Sequence, residues 1–332
     1  MAGGAGFIGS HLVESLVTEG WFVDVVDNFS TGRAANLKPS LAFDNDSDFE
    51  PDPERLLAIH RADVAAHVGN PARDNGRTLS QYDVVYNLAC PASPKAYQAD
   101  GLGTVMTNVV GTANLLALAH ANDALFVQAS TSEVYGDPNV HPQDEEYWGN
   151  VNPFGPRACY DEGKRCAETL CYEFKQAGCD VRVARIFNTY GPRMDPDDGR
   201  VVSNFIRQAL RGEPLTVYGD GEQTRSFCYV SDLVAGLRML ALPAAYSVKT
   251  PVNLGNDGEF KIIELAEALS EWFPRLMVIN EPLPKDDPKV RKPNLARARA
   301  MGYAPQVPLR AGLIKTIEWM KGVLEAPEAG CI

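Results

Sequence analysis

Two short segments contain the side chains best suited to catalysis. In YDEGK, Tyr160 and Lys164 are four residues apart, so a helix would place them on one face, about 6 Å apart along its axis. A phenol ionises near pH 10, and a nearby positive charge such as an ammonium favours the phenolate. Tyr160 could then accept a proton from a substrate hydroxyl, whereas the alternative is an ordinary amphipathic helix start. STSEVYG adds Thr131, which could hold the same substrate oxygen, and Glu133.

The glycines of GGAGFIGS predict a phosphate-binding turn at the start of the chain. Gly3, Gly6 and Gly9 let the backbone approach a pyrophosphate at the amino end of a helix, where free N–H groups favour anions. Asp27 ends the next apolar strand, where a carboxylate accepts both ribose hydroxyls of NAD. A packing loop with a solvated Asp is the alternative. The two features together favour a dinucleotide site.

Strands and helices alternate over the first 190 residues. Strands separated by helices predict a doubly wound α/β domain, with a parallel sheet that has helices on both faces. Thr131 then lies at the carboxyl end of a strand, where such sheets bind ligands. The predicted elements are helix 7–19, strand 22–27, strand 83–88, helix 104–121, strand 124–130, helix 160–177 and strand 181–187.

A second, smaller α/β lobe is predicted for residues 191–332, with some chain crossing back to the large domain of residues 1–190. We expect this lobe to close over the carboxyl edge of the sheet and to bind the substrate. Residues 40–82 are polar and turn-rich, and we interpret them as surface excursions. The predicted elements of the lobe are strands 214–218, 252–255 and 276–280 and helices 232–242, 262–272 and 309–325.

The first strand of the nucleotide fold is predicted to be missing. Such folds place a buried strand directly before the first glycine, yet only Met1 and Ala2 precede Gly3. That strand would lie in mid-sheet, where both neighbours need its backbone hydrogen bonds. A shortened amino terminus is the expectation, and it leaves the completeness of the site open.

Composition restricts the class of partner. The chain has 332 residues with 45% hydrophobic and 22% charged, which is typical of a soluble globular protein, and its net charge of −12 disfavours nucleic acid and anionic lipid. An anionic substrate would therefore need a local arginine cluster. Seven cysteines without a C-x-x-C and five scattered histidines indicate a reducing compartment and no metal site. No apolar run reaches the roughly 18 residues of a membrane span, so we expect a cytoplasmic protein.

The motifs resemble those of a known superfamily. GGAGFIGS, VVDNFSTG, STSEVYG and YDEGK resemble the extended short-chain dehydrogenase/reductases. Longer strings, namely NLACPASP, YWGNVNP, YDEGKRCAETL, ARIFNTYGPRM, DGRVVSNFI and GDGEQTRSF, are similar to the UDP-glucuronate decarboxylase (UDP-xylose synthase) family. The likeness covers nearly the whole chain. It is weakest at 40–82 and 95–106 and most specific at 128–233.

The resemblance implies a redox-neutral reaction on UDP-glucuronate. Retained NAD would oxidise C4 to a ketone, the electron pair left by decarboxylation would enter an enolate, and the returned hydride would give UDP-xylose. Tyr160 would be the base, Lys164 would lower its pKa and hold the nicotinamide ribose, and Thr131 would contact the C4 oxygen. Glu133 distinguishes decarboxylases from epimerases. Arg291 would assist the carboxylate chemistry or C5 protonation, although a solvated loop charge is the alternative for this residue.

Binding residues follow from the same resemblance. Met106 stands where the family usually has a lysine, which could weaken binding of the sugar acid. NAD would contact Gly3, Gly6, Phe7, Ile8, Gly9, Asp27, Asn28, Phe29, Thr31, Gly32, Asp63, Val64, Leu88, Cys90, Thr107, Tyr160, Lys164, Thr189 and Arg200. The nucleotide-sugar substrate would contact Asn188, Tyr218, Arg225 and Arg291.

Two other functions stay open. One is an NAD-dependent epimerase or dehydratase of another nucleotide sugar, and the other is an inactive nucleotide-binding regulatory protein.

The resemblance also implies a homodimer that pairs through helices of the nucleotide domain. A Golgi membrane location would apply if an amino-terminal anchor has been lost.

Overall fold

Parallel strands and helices alternate in the amino-terminal half. The computed structural model describes residues 1–37, 56–66, 82–243, 245, 248–283, 288 and 290–325, so most of the expected excursion at 40–82 lies outside the described residues. The elements of this half are α1 (Phe7–Thr18), β1 (Val23–Asp27), β2 (Leu57–Arg61), β3 (Val84–Asn87), α2 (Pro94–Ala99), α3 (Gly101–Met106), α4 (Thr112–Ala121), β4 (Leu125–Thr131), α5 (Ala158–Gln176) and β5 (Val181–Ile186). Thr107–Gly111 joins α3 and α4 into one continuous helix, and Ser132–Tyr135 forms a 3-10 turn after β4.

The main sheet is parallel throughout and covered on both faces. One part has the strand order β3, β4, β5, β10 (Val252–Leu254), and β1 pairs with β2. All seven residues of β4 are buried, as expected for a central parallel strand. Leu125 and Val127 pack into one apolar cluster while Phe126 packs into another, so the two faces of the strand contact different layers. The predicted doubly wound α/β fold is confirmed.

Met1 and Ala2 take the mid-sheet position of the strand that was expected to be missing. Ala2 donates its backbone N–H to Tyr86 O at 2.9 Å and accepts from Leu88 N at 2.9 Å. On the other side, Val26 N donates to Met1 O at 2.8 Å. Ala2 thus connects β1 and β3 by isolated bridges, but no strand precedes α1 among the described residues, so the missing first strand stays a prediction.

The remaining elements build a second layer around short strands. They are β6 (Thr189–Tyr190), α6 (Val201–Arg211), β7 (Leu215–Tyr218), β8 (Thr224–Ser226), β9 (Cys228–Tyr229), α7 (Val230–Leu240), β11 (Glu259–Lys261), α8 (Ile262–Ser270), β12 (Val278–Glu281), β13 (Val290–Arg291), α9 (Ala296–Ala300) and α10 (Leu309–Glu325). β7 pairs with β12, β6 pairs with β9, and β8 lies between β11 and β13. The chain after residue 190 also contributes to the large domain, since β10 joins the main sheet and Arg238 of α7 donates to Ser15 of α1 at 2.9 Å. The domain boundary itself stays a prediction.

One helix, Gly101–Ala121, is apolar enough for a membrane span by length and composition, which the sequence analysis had not expected. Its mean hydropathy is 1.4, and no other helix among the described residues meets these criteria. Buried core helices meet the same criteria, and this one packs against α5 and β3.

Candidate active site

A cleft of about 1380 Å³ gathers the predicted site residues. It begins at the glycine turn, follows the carboxyl ends of β1, β3 and β4, and reaches β7, β8 and β13 of the second layer. Every residue that the sequence analysis assigned to catalysis, to NAD or to the substrate lines this cleft. The structure thus brings the whole set together, while the role of each residue stays a prediction.

The glycine turn fits a pyrophosphate because side chains have no room there. Gly3 has a positive φ of +75°, and a Cβ at this position would lie 2.6 Å from the carbonyl of Leu88. A Cβ at Gly9 would lie 2.1 Å from Gly3 O, so α1 can pack this close to the turn before it only with glycine at this position. At Gly6 the corresponding distance to Gly3 O is 3.3 Å. The turn therefore leaves the amino end of α1 open to the cleft, as a dinucleotide requires.

Backbone hydrogen bonds fix the carboxylate of Asp27, the residue predicted to bind the ribose of NAD. Its carboxylate is 8% exposed and accepts from Ala5 N at 2.9 Å and from Phe29 N at 2.8 Å. Burial raises the pKa of Asp27, and these two hydrogen bonds oppose the rise. A Cβ at Gly32 would lie 3.0 Å from Asp27 Oδ1, so the loop passes directly over the carboxylate. The residues present therefore fit NAD.

Tyr160 and Lys164 lie on one buried face of α5. Tyr160 is 5% exposed, and its ring stacks on Tyr97 with centroids 4.9 Å apart and planes within 7°. Lys164 is 4% exposed, donates to Ala129 O at 2.8 Å and lies 5.9 Å from the centre of the Tyr160 ring. Thr131 ends β4 and hydrogen-bonds to Tyr160. The expected geometry of a tyrosine, lysine and threonine at one strand end is present.

The expected effect of Lys164 on its neighbour needs correction. Burial raises the pKa of Tyr160, the thiol of Cys90 adds to the rise, and only the hydrogen bond from Thr131 and the charge of Arg200 oppose it. Burial also lowers the pKa of Lys164, whose ammonium donates to a main-chain carbonyl. Protein groups alone therefore keep the phenol protonated, and the positive charge of oxidised nicotinamide is needed to favour its ionisation.

Glu133 is enclosed by two arginines in the turn after β4. Its Oε2 accepts from Arg157 Nη2 at 2.5 Å and from Arg291 Nη2 at 3.0 Å, and Arg291 Nη1 donates to Ser132 O at 2.5 Å. Burial would raise the pKa of Glu133, but Arg291 and Arg157 outweigh burial and hold the pKa below its usual range. Arg291 is 1% exposed, so the interpretation as a solvated loop charge is wrong.

The local arginine cluster expected for an anionic substrate is present. Arg225 of β8 and Arg291 of β13 are register partners in neighbouring parallel strands, and Arg225 is 8% exposed. Arg225 Nη2 donates to Pro288 O at 2.6 Å, and Arg200 forms a bidentate pair with Asp198 at 2.6 and 2.8 Å. The cleft of a chain with a net charge of −12 therefore contains several arginines, and Glu133 and Asp198 hold three of them in place.

Three residues near the reacting groups were missed by the sequence analysis. Tyr97 stacks on the tyrosine, while Arg157 and Asp161 lie beside Glu133. Arg157 and Asp161 could have been found, because positions 157, 160, 161 and 164 have the i, i+3, i+4, i+7 spacing of one helix face. Tyr97 comes from a distant helix and had no local signal.

Comparison with known proteins first defines the class. The sequence model described as "NAD dependent epimerase/dehydratase family" matches residues 1–255. UDP-glucose 4-epimerase from Thermotoga maritima, solved with UDP-glucose, is 27% identical with a TM-score of 0.81 and 98% of both chains covered. UDP-glucuronic acid 4-epimerase from Bacillus cereus, solved with UDP-glucuronic acid and NAD, is 27% identical with a TM-score of 0.79, covering 97% of this chain and 98% of the other.

Sequence relatives narrow the class. UDP-glucuronic acid decarboxylase 1 of Xenopus tropicalis is 50% identical over 330 residues, which is 98% of this chain and 72% of the relative. UDP-glucuronic acid decarboxylase 1 of Danio rerio is 49% identical over 328 residues, which is 98% of this chain and 73% of the relative. The chain belongs to the NAD-dependent epimerase/dehydratase family and, within it, to the UDP-glucuronic acid decarboxylases.

Proposed function

We propose that this chain converts UDP-glucuronate to UDP-xylose and carbon dioxide with NAD as a retained cofactor. One observation supports this choice over a simple epimerase: a buried, ionised Glu133 fixes two guanidinium groups in the same cleft as Tyr160 and Thr131. Relatives at about half identity are named for the same reaction. The cleft therefore combines an alcohol-oxidising group with a site for a sugar carboxylate.

The glycine turn and Asp27 would hold NAD, which when bound supplies a reversible hydride acceptor for C4 of the sugar. Thr131 and Tyr160 hold the C4 oxygen, and the phenol oxygen takes the hydroxyl proton and later gives it back. Lys164, fixed by Ala129 O, keeps a positive charge beside the ring. Because the ketone at C4 makes the sugar a β-keto acid, the C5–C6 bond can break with its electron pair entering an enolate.

The arginines hold the negative charges of the substrate. Arg225, whose Nη1 and Nη2 donate to Thr224 O and Pro288 O, supplies a positive charge for the diphosphate. Arg291 supplies a buried guanidinium for the C6 carboxylate. Glu133 orients Arg291 and Arg157 by accepting from both. Loss of Glu133 would leave these cations without their shared partner, so we expect Glu133→Gln to slow carbon dioxide release by about 10²-fold, the size typical of a lost electrostatic group.

Product analysis tests the proposal. The protein is incubated with NAD and UDP-glucuronate, and carbon dioxide, the sugar nucleotide and NADH are measured together. Equimolar carbon dioxide and UDP-xylose without net NADH support the proposal. The C4 epimer without carbon dioxide indicates an epimerase, net NADH without carbon dioxide indicates a dehydrogenase, and bound NAD without turnover indicates an inactive nucleotide-binding protein.

We also propose a homodimer that forms through α3 and α5. Leu102 on α3 is 76% exposed and Tyr172 on α5 is 60% exposed, and burying large apolar side chains stabilises an interface. Leu102→Glu with Tyr172→Glu should give a monomer in light scattering, while Met277→Glu, at an exposed apolar residue of the second layer, should not change the mass. A wild-type monomer would contradict this proposal.

A cytoplasmic, reducing location is our proposal for the compartment. Its support is that the six cysteines of the described residues are all free thiols. Fractionation of cells that produce the natural protein tests it, and recovery with membranes or in oxidised form would contradict it.

A further inference from the structure

The proposed reaction, on which this inference rests, consumes one proton from solvent in every turnover. The C5–C6 bond breaks, its electron pair stays in the enolate, and a new C5–H bond forms as carbon dioxide leaves. The proton that Tyr160 removes from the C4 hydroxyl returns to the C4 oxygen. The proton at C5 must therefore come from solvent and reach a cleft whose reacting side chains are buried.

A second chamber of about 370 Å³ adjoins the cleft beside Glu133. The two cavities share Glu133, Arg157 and Pro288 in their walls. The walls of the chamber also include Asp137 and Asn152, which are exposed. The chamber therefore connects solvent to the buried face of Glu133 without passing through the substrate cleft.

Asp161 is a buried residue in the wall of this chamber, and one of its carboxylate oxygens lacks a hydrogen-bond partner among the described residues. It is 6% exposed, and its Oδ1 has no hydrogen-bond partner among the described residues. Its Oδ2 lies 3.9 Å from Arg157 Nε, while Arg157 Nη2 donates to Glu133 Oε2 at 2.5 Å. A buried carboxylate oxygen without a partner costs free energy, which a role in function would explain.

We propose that the second chamber is the proton entrance of the active site, with Asp161 as the positioning residue that relays the solvent proton past Glu133 toward C5. A proton leaves Oδ1 for water in the chamber and reaches C5, and a proton from solvent at the Asp137 side restores the acid. One proton enters and one C5–H bond forms, so the step balances.

The charges around Asp161 suit a relay near neutral pH. Burial is the main cause that raises its pKa, to about 7, the charge of Glu133 adds to the rise, and Arg157 and Arg291 oppose it. A carboxylic acid that titrates near the working pH transfers protons most effectively. The titratable and charged groups around it are Glu133 and Asp137 near the turn after β4, Arg291 of β13, Tyr97 of α2, and Arg157 and Glu162 on or beside its own helix.

Two variants test the relay by different means. Asp161→Asn removes the acid but keeps the shape of the side chain, and Val151→Phe fills the chamber from its wall. Glu173→Gln is the matched control, because Glu173 is an exposed residue of the same helix, about three turns from Asp161. Carbon dioxide release is measured from about pH 5 to pH 9, together with the absorbance of reduced nicotinamide during turnover.

We expect both Asp161→Asn and Val151→Phe to lower kcat by about 10²-fold with KM little changed. Asp161→Asn should also lose the fall in kcat that the wild type shows as Asp161 ionises above about pH 7. Reduced nicotinamide should accumulate on both variants, because return of the hydride to C4 waits for protonation of C5. Glu173→Gln should behave as wild type.

A wild-type kcat and pH profile in Asp161→Asn overturns the relay, as does a wild-type kcat in Val151→Phe. If one variant loses its fold, seen by circular dichroism and NAD binding, the other decides alone. A wild-type protein that releases no carbon dioxide defeats the proposed function instead, so the two failures are distinguishable.

Discussion

At the scale of single residues, Tyr160 is the group whose chemistry the proposed function needs most. Its pKa is raised by burial, so the phenol must lose its proton only when the cofactor charge is present. Lys164 Nζ donates to Ala129 O and lies 5.9 Å from the centre of the Tyr160 ring.

Tyr160→Phe should reduce turnover by about 10²-fold to 10⁴-fold, since the base is lost while the ring remains. NAD affinity should be nearly unchanged, because the glycine turn and Asp27 are untouched. Tyr172→Phe on the same helix, at a 60% exposed position, is the control. Near-normal carbon dioxide release by Tyr160→Phe would refute the assigned base.

Asp161 should make stability depend on pH. Its pKa rises from 3.8 to about 7 on folding, so the folded state binds more protons between these values and loses stability as pH rises through about 7. Asp161→Asn removes this loss. Its midpoint of thermal unfolding should exceed that of the wild type at pH 8 and match it near pH 4, and equal differences at both pH values would contradict the raised pKa.

The sequence could predict that the candidate catalytic residues come together in one cleft, because each lies in a short motif at a strand or helix end. Tyr160, Lys164 and Thr131 are positioned by local structure, which spacing reveals. Lys164's hydrogen bond to Ala129 O and the stacking of Tyr97 depend on tertiary packing, so no spacing could show them.

At the scale of elements, the start of α1 determines whether NAD can bind. The helix begins at Phe7 directly after the glycine turn, and its close packing on that turn depends on the absence of a side chain at Gly9. The predicted phosphate site is therefore a property of how the helix packs on the turn before it.

Gly9→Ala should weaken NAD binding strongly and destabilise the fold by about 1–3 kcal/mol, since its Cβ would lie 2.1 Å from a backbone oxygen. Gly322→Ala is the control, because Gly322 lies in helix α10 with no atom within 4 Å of an added Cβ. The control should be stabilised by up to about 1 kcal/mol. Thermal unfolding and NAD titration measure both variants, and unchanged NAD affinity in Gly9→Ala would contradict the packing argument.

The long elements were predicted within a few residues, whereas several short ones were not. Periodicity needs a helical turn or more, and β6, β9 and β13 have two residues each. Helix α6 was missed although Val202, Phe205, Ile206 and Ala209 have helical spacing and are buried. β2 was missed because it lies inside the polar, turn-rich stretch at 40–82.

At the scale of the whole molecule, the cleft has to attract an anionic substrate to a protein with a net charge of −12. The arginines that do so come from β8, β13 and the start of α5, which are far apart in sequence. Sequence could indicate that a cluster was needed, but only folding brings the three elements together.

Met106 lines the cleft and is 43% exposed, so a cation there can contact substrate. Met106→Lys should lower KM for UDP-glucuronate by about twofold to fivefold at low salt, the size of a partly exposed ion pair, and the gain should shrink at high salt. Met106→Leu keeps the apolar character and should not change KM. A KM that Met106→Lys leaves unchanged at low salt would show that this position does not contact the substrate.

The most direct measurement follows the hydrogen at C4. UDP-glucuronate with deuterium at C4 is converted by the protein in ordinary water, and the product is examined by NMR. The account predicts UDP-xylose that keeps its deuterium at C4, because the same hydride is removed and returned within one cleft. Loss of deuterium from C4, or its appearance in released NADH, would contradict the redox-neutral mechanism.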